Sequence, residues 1–249
     1  MLINALILFL SVAIPGLLLS GKWKFSETRI KYFLIFAGAY LFSMTVIHLI
    51  PDLFMTDEDP FMLGLWILVG FFLQKVLENY SVGVEHGHSH PNQPGLSVTY
   101  LILALSVHSF LEGSIMSDTI HVHHMPEAAY EHGSSPKILL GIVMHKIPAA
   151  FALMALLVAQ VKSKVKASIL LLVFALASPL GLISTEYLSH QEIFSEKQMI
   201  IFFAIVAGGF LQISTTIFIE SDPHHKLNWK RFGVSLIGAG VAVLAQVVI

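Results

Sequence analysis

Eight stretches of the chain, 1–20, 33–50, 61–77, 97–116, 137–160, 167–187, 199–219 and 233–249, are strongly apolar and nearly free of charge. A helix crosses a bilayer with roughly 20 such residues. No other feature constrains the fold as tightly. Backbone in hydrocarbon must satisfy its own hydrogen bonds, so a chain of this kind forms a helix bundle or a closed barrel. The alternating pattern of barrel strands is absent. The sequence therefore predicts an all-α integral membrane protein, an eight-helix bundle forming a single domain over 1–249, with a His-rich cytoplasmic loop at 79–96. The first stretch has no basic residue ahead of it and no A-x-A site after it, so it reads as a retained helix and not as a cleaved leader.

Composition narrows the function. Only 12% of the 249 residues are charged, against about 25% in soluble domains. The net charge of −2 offers no basic field for nucleic acid. The lack of cysteine excludes disulfides, iron–sulfur clusters and thiolate zinc sites. Thirteen histidines stand beside 14 lysines and arginines. Abundant imidazole in a membrane chain points to metal ions or protons.

Lys and Arg predict the orientation. They cluster at Lys22, Lys24, Arg29 and Lys31, at Lys75, at Lys162, Lys164 and Lys166, and at Lys226, Lys230 and Arg231. The opposite loops are acidic, with Asp52, Asp57, Glu58 and Asp59, then Asp118, Glu127 and Glu131. Both termini are expected on the extracytoplasmic side of a plasma or inner membrane. An internal echo accompanies this topology. Ala37-Gly38-Ala39-Tyr40-Leu41 in span 2 resembles Ala207-Gly208-Gly209-Phe210-Leu211 in span 7, and Ile14-Pro15-Gly16 loosely echoes Ser178-Pro179-Leu180-Gly181. The two copies run in opposite directions. That is the pattern of an inverted repeat, spans 1–3 against 6–8, common in secondary transporters. Small residues such as Gly208, Gly209, Gly238 and Gly240 suit close helix contact.

Ionisable groups inside spans are costly and usually functional. Span 4 carries His108 and Glu112 four residues apart, so both lie on one helix face about one turn apart. Span 5 carries His145 and Lys146, then Pro148. His108 and His145 each lie roughly 12 Å inside the outer edge by helix rise, so antiparallel neighbours would bring the imidazoles to one level. Two His and one Glu suit zinc and leave an open position. Pro148 frees the carbonyl of Met144 and kinks its helix.

These residues carry a resemblance. His108-Ser109-x-x-Glu112-Gly113 and His145-Lys146-x-x-Ala149 resemble the fourth- and fifth-helix motifs of the ZIP (Zrt/Irt-like) family of divalent-metal transporters. Phe36-Ala37-Gly38 through His48-Leu49-Ile50-Pro51-Asp52, Ser178-Pro179-Leu180-Gly181, and Ala207-Gly208-Gly209-Phe210-Leu211 with Glu220 resemble its second, sixth and seventh helices. The resemblance implies a three-two-three arrangement of eight helices, both termini outside, and uptake of zinc or a related metal into the cytoplasm. Many members hold two adjacent metals, with carboxylates at the positions of Ala149 and Ser178 and Asn, Asp or Glu at Lys146. Here those positions are apolar, hydroxyl and cationic. The second site is therefore expected to be missing, leaving His108, Glu112 and His145 as ligands.

Along the expected route lie His48 and Asp52 at the outer end of span 2, Ser109, Lys146 and Ser178 beside the ligands, and Glu220, with Asp222, His224 and His225, at the inner end of span 7. His121, His123 and His124 in an outer loop, and His86, His88 and His90 in the inner one, are candidates for capturing metal. The leading reading is transport of Zn²⁺, with Fe²⁺, Mn²⁺ or Cd²⁺ as alternatives, and not an enzyme. The expected partners are the ion, the lipid bilayer and a second copy of the chain as a homodimer, with no nucleic acid. Two other readings use the same residues: a haem-b electron carrier with His108 and His145 as axial ligands, and a membrane zinc hydrolase.

Overall fold

Proline and a few polar side chains mark where the apolar runs start, stop and bend. The protein's structure, a computed structural model, describes residues 1–20, 27–81, 98–116, 135–191, 193, 195–221 and 228–248. The helices in chain order are α1 (Leu2–Ser20), α2 (Glu27–Met44), a π-helical turn (Thr45–Leu49), α3 (Ile50–Phe54), α4 (Pro60–Ser81) and α5 (Val98–Ser114), followed by α6 (Ser135–Val161), α7 (Lys164–Ala175), α8 (Ala177–His190), α9 (Glu196–Ser221) and α10 (Trp229–Val248). Every predicted span is mainly helical where described, and no strand occurs among the described residues. The protein is a membrane helical bundle. Among the described residues five stretches are long and apolar enough to cross a bilayer: Lys31–Phe54, Pro60–Tyr80, Pro136–Val158, Lys164–His190 and Lys197–Ile217. Leu2–Leu18 and Val98–Ser114 are shorter apolar helices.

The ends follow local chemistry. Pro60 opens α4, a position where its missing amide costs nothing, and Asp59 Oδ1 accepts the Phe61 amide at 3.0 Å. Ser195 and Gln198 form a reciprocal box ahead of α9, with Ser195 Oγ accepting the Gln198 amide and Gln198 Oε1 accepting that of Ser195. Asn228 Oδ1 accepts the Lys230 and Arg231 amides and starts α10.

Several boundaries differ from the sequence reading. The third span runs on to Ser81, so Glu78 joins the helix. The eighth begins at Trp229, four residues early, because Asn228 supplies the cap. The second continues to Phe54 through a turn in which the Ile50 amide reaches the Thr45 carbonyl. Pro51 offers no amide to the carbonyl of Ile47, and the winding ahead of it widens. The sixth is broken at Leu176. Pro179 leaves the Ala175 carbonyl without its usual donor, and the Leu176 amide turns back to Val173 at 3.3 Å.

Packing falls into two groups. α4 lies along α9, α10 along α2, and α2 also meets α9. On the other side α5 lies along α8, and α1 along α6 and α7. The α2–α6 and α4–α5 contacts join the groups. Glycines set the closest approaches: a Cβ on Gly208 would collide with the Ile67 carbonyl, and one on Gly113 with the Ser178 carbonyl. Gly238 meets the Phe36 carbonyl in the same way, whereas Gly240 faces open space and Gly209 touches only the Gln74 side chain. Gly240 therefore has no part in close contact among the described residues.

Two large apolar cores result, beside a small cluster of Tyr40, Met44 and Ala242. Leu105 on α5 and Ala150 on α6 belong to one, with Leu153, Leu157 and Leu171. Ile115, just past α5, and Ile142 on α6 belong to the other, with Phe210 and Ile213. His108–Glu112 and His145–Lys146 occupy the chain between these positions, so a polar layer separates two apolar ones. The periphery is apolar as well, with Phe61, Phe72, Leu103, Ile169 and Leu244 exposed, as lipid contact requires.

Candidate metal centre

The polar layer is built from four helices. On α5 the four-residue spacing stacks His108 over Glu112, and Nε2 lies 2.9 Å from Oε1. From α6, His145 brings its Nε2 to the same Oε1 at 2.5 Å. One carboxylate oxygen thus receives two imidazoles, whose ring centres are 6.4 Å apart. The three residues are buried, with Glu112 only 1% exposed. Their ligand atoms all lie within 4.8 Å of one another, the one such group of three or more among the described residues.

The far side of each ring is held by a carbonyl oxygen. His108 Nδ1 faces Gln74 Oε1 at 3.0 Å, and His145 Nδ1 faces Gly141 O at 3.0 Å. An oxygen there needs a hydrogen on Nδ1, so in a neutral ring the lone pair sits on Nε2. In that form both Nε2 lone pairs are open to a cation held beside the shared carboxylate. Two neutral imidazoles and a carboxylate form a donor set that suits zinc.

The other carboxylate oxygen belongs to Lys146. Its ammonium reaches Glu112 Oε2 at 2.5 Å and donates to Ser109 Oγ at 2.7 Å. Ser178 on α8 gives its hydrogen to the Ser109 carbonyl at 2.8 Å, so Ser109 must donate in the 2.8 Å contact between the hydroxyls. This chain depends on the glycines. A side chain on Gly113 or Gly181 would strike the backbone of the facing helix, and α5 and α8 could not come close enough for the two serines to meet. Two small cavities flank the carboxylate. One of about 20 Å³ is lined by His108, His145, Lys146, Ala149 and Phe174. One of about 10 Å³ lies by Gln74, His108 and Gly209. The larger has room for about one water.

Of the residues singled out from sequence, His108, Ser109, Glu112, His145, Lys146 and Ser178 come together here. His48 and Asp52 lie in and after the π-helical turn and pair with each other at 3.3 Å; they are not part of the three-residue group. The Glu220 side chain falls outside the described residues, as do Asp222, His224, His225, His121, His123, His124, His86, His88 and His90. Sequence reasoning passed over Gln74 and Glu78 on α4, and Gln212 and Thr216 on α9. All four are buried. Gln212 Nε2 donates to Glu78 Oε2 at 2.6 Å and to Thr216 Oγ1 at 2.9 Å, and Lys75 Nζ donates to Glu78 Oε2 at 2.7 Å. Each pair is four residues apart in an apolar helix, the same signal that picked out His108 and Glu112.

Comparison with known proteins points the same way. A family model described as ZIP Zinc transporter matches residues 83–246. Protein zntD of Dictyostelium discoideum is 29% identical over 182 residues, 66% of this chain and 25% of that protein. The chain spans about a quarter of the length of the curated relative it matches.

Proposed function

Because the chain belongs to the ZIP zinc transporter family, we propose that it carries a divalent metal ion, zinc foremost, across the membrane into the cytoplasm through the His108–Glu112–His145 centre. The observation that carries the reading is the convergence of two imidazole Nε2 atoms on one buried carboxylate oxygen. Buried charge without a role is expensive in a membrane, and this donor set favours zinc. The family name and the name of its matched model speak for zinc. Fe²⁺, Mn²⁺ and Cd²⁺ accept the same donors with different preference.

A single ion is bound at a time. Lys146 and Ala149 border the cavity beside Glu112, where a second cation would need oxygen ligands. The ammonium takes that place on Oε2. Its charge faces the carboxylate when no ion is bound and competes with the ion afterwards, which favours release. The haem alternative fits poorly: both imidazoles reach the same oxygen, which leaves no slot for a macrocycle. A hydrolase would need room for a substrate, and the flanking cavities are about 10 and 20 Å³.

The packing supports an inverted repeat in a three-two-three order. Exchanging span 1 with 6, 2 with 7, 3 with 8 and 4 with 5 converts the α4–α9 pairing into that of α10 with α2, and the α5–α8 pairing into that of α6 with α1–all pairings present in the bundle. The basic loops argue for Lys24 and Lys164 in the cytoplasm and for Glu58 and Glu127 outside. On this topology His48, Asp52, His121, His123 and His124 lie on the side of ingress. Glu220, His86, His88 and His90 lie on the side of release. A homodimer is compatible with the apolar periphery.

The test is zinc uptake by the purified protein in proteoliposomes loaded with a zinc-sensitive dye. Uptake above protein-free vesicles is expected, and no flux in correctly inserted protein would reject transport. Cysteines introduced at Lys24, Lys164, Glu58 and Glu127, in a chain with none of its own, should label two and two with an impermeant thiol reagent.

A further inference from the structure

Two acceptors hold the metal-facing imidazoles, and they are unlike each other. The one behind His145 is a backbone carbonyl of its own helix, Gly141 O, and moves with it. The one behind His108 is a side chain from another helix, Gln74 on α4. Gln74 is buried, 3% exposed, and borders the small cavity together with His108 and Glu112. The α4–α5 contact is one of the few that join the two packing groups.

We propose that Gln74 is a positioning residue for metal binding: its amide oxygen keeps the hydrogen of His108 on Nδ1, so that Nε2 presents its lone pair to the ion. This inference rests on the reading of His108 as a ligand. Without the acceptor the ring would be free to hold its hydrogen on Nε2, aimed at Glu112, and a ring in that state cannot bind a cation there. An amide fixes the tautomer without adding charge. A carboxylate in the same place would make the imidazole a stronger donor, and would hold the ion longer. Gln74 thus sets both the competence of His108 and an upper limit on how tightly the ion is held. Its place on α4 makes that competence depend on α4 and α5 staying together.

The test is Co²⁺ titration of the purified full-length protein, read by its visible absorption, alongside ¹⁵N spectra of its labelled histidines. Gln74→Met keeps the size and removes the acceptor. It should weaken Co²⁺ binding by roughly 10–100-fold and shift His108 from the Nδ1–H form to a mixture. Gln74→Glu restores the acceptor and should bind Co²⁺ more tightly than the native protein. A residue that merely filled space would give no tightening. If Gln74→Met does not fold, Gln74→Glu decides alone, and affinity equal to or weaker than native overturns the proposal. An unchanged tautomer in Gln74→Met overturns it as well. His108→Ala separates the two levels. If it binds Co²⁺ as the native protein does, the centre itself is misassigned. If it loses binding while both Gln74 variants match the native protein, only the role of Gln74 fails.

Discussion

Glu112 and Glu78 are both carboxylates buried in the same bundle, and their surroundings make them different chemical objects. Glu112 meets two imidazoles through Nε2 and one ammonium. Glu78 is approached by the amide of Gln212 and by Lys75, whose side chain is 58% exposed. An amide N–H can only donate. An imidazole nitrogen can donate a hydrogen or, as a lone pair, bind a cation beside the carboxylate. The neighbours, and not burial, decide which carboxylate can serve an ion. On the proposed reading Glu112 meets the ion, and Glu78 ties α4 to α9.

The sharpest way to break the contrast is to remove each carboxylate in turn. Glu112→Ala should cost zinc binding on the order of 100-fold or more, the share of one ligand in a site worth roughly 10–16 kcal/mol. Glu78→Gln should leave zinc affinity near native and lower thermal stability by about 1–3 kcal/mol, as a buried hydrogen bond is disturbed. Zinc titration and melting of both variants decide this, and equal losses of affinity would erase the distinction. The same reasoning makes native zinc binding weaken in acid, because imidazole and carboxylate hold a cation only after losing their protons.

Lys146 sharpens the comparison next. Lys146→Asp should raise the number of bound zinc ions or the affinity, and Lys146→Ala should remove the competing charge without adding a ligand. Identical stoichiometry and affinity in all three proteins would leave the ammonium without a part in ion binding. Gly113→Ala should act through geometry alone. The new methyl group meets the Ser178 carbonyl, and overpacking of this kind costs about 1–3 kcal/mol. A melting temperature unchanged from native would show that α5 and α8 do not rely on that contact. The smallest effect is expected from deleting Glu85 through His90. Initial uptake should stay near native while regulation or inner-side affinity changes, and complete loss of initial uptake would put the loop on the obligatory path.

The sequence made the polar layer easier to read than its support. The four-residue spacing of His108 and Glu112, and the equal depths of His108 and His145, were visible because charge in an apolar run stands out. Gln74 was not, because an uncharged amide near a helix end looks like an ordinary boundary residue. Glu78 lay one residue past the predicted end of its span. The break at Leu176 and the π-helical turn at Thr45–Leu49 follow from Pro179 and Pro51, but hydropathy averages over single prolines. Gly113 and Gly181 were read as parts of motifs. That they let one helix backbone press on another emerged only when the facing helices were known.

X-ray absorption at the zinc edge of the loaded, purified protein tests the central claim most directly. Native protein should show zinc bound by two imidazoles and oxygen, without sulfur, and His145→Ala should show one imidazole fewer. A native spectrum without imidazole scattering, or one that His145→Ala leaves unchanged, would place the ion elsewhere and contradict the account.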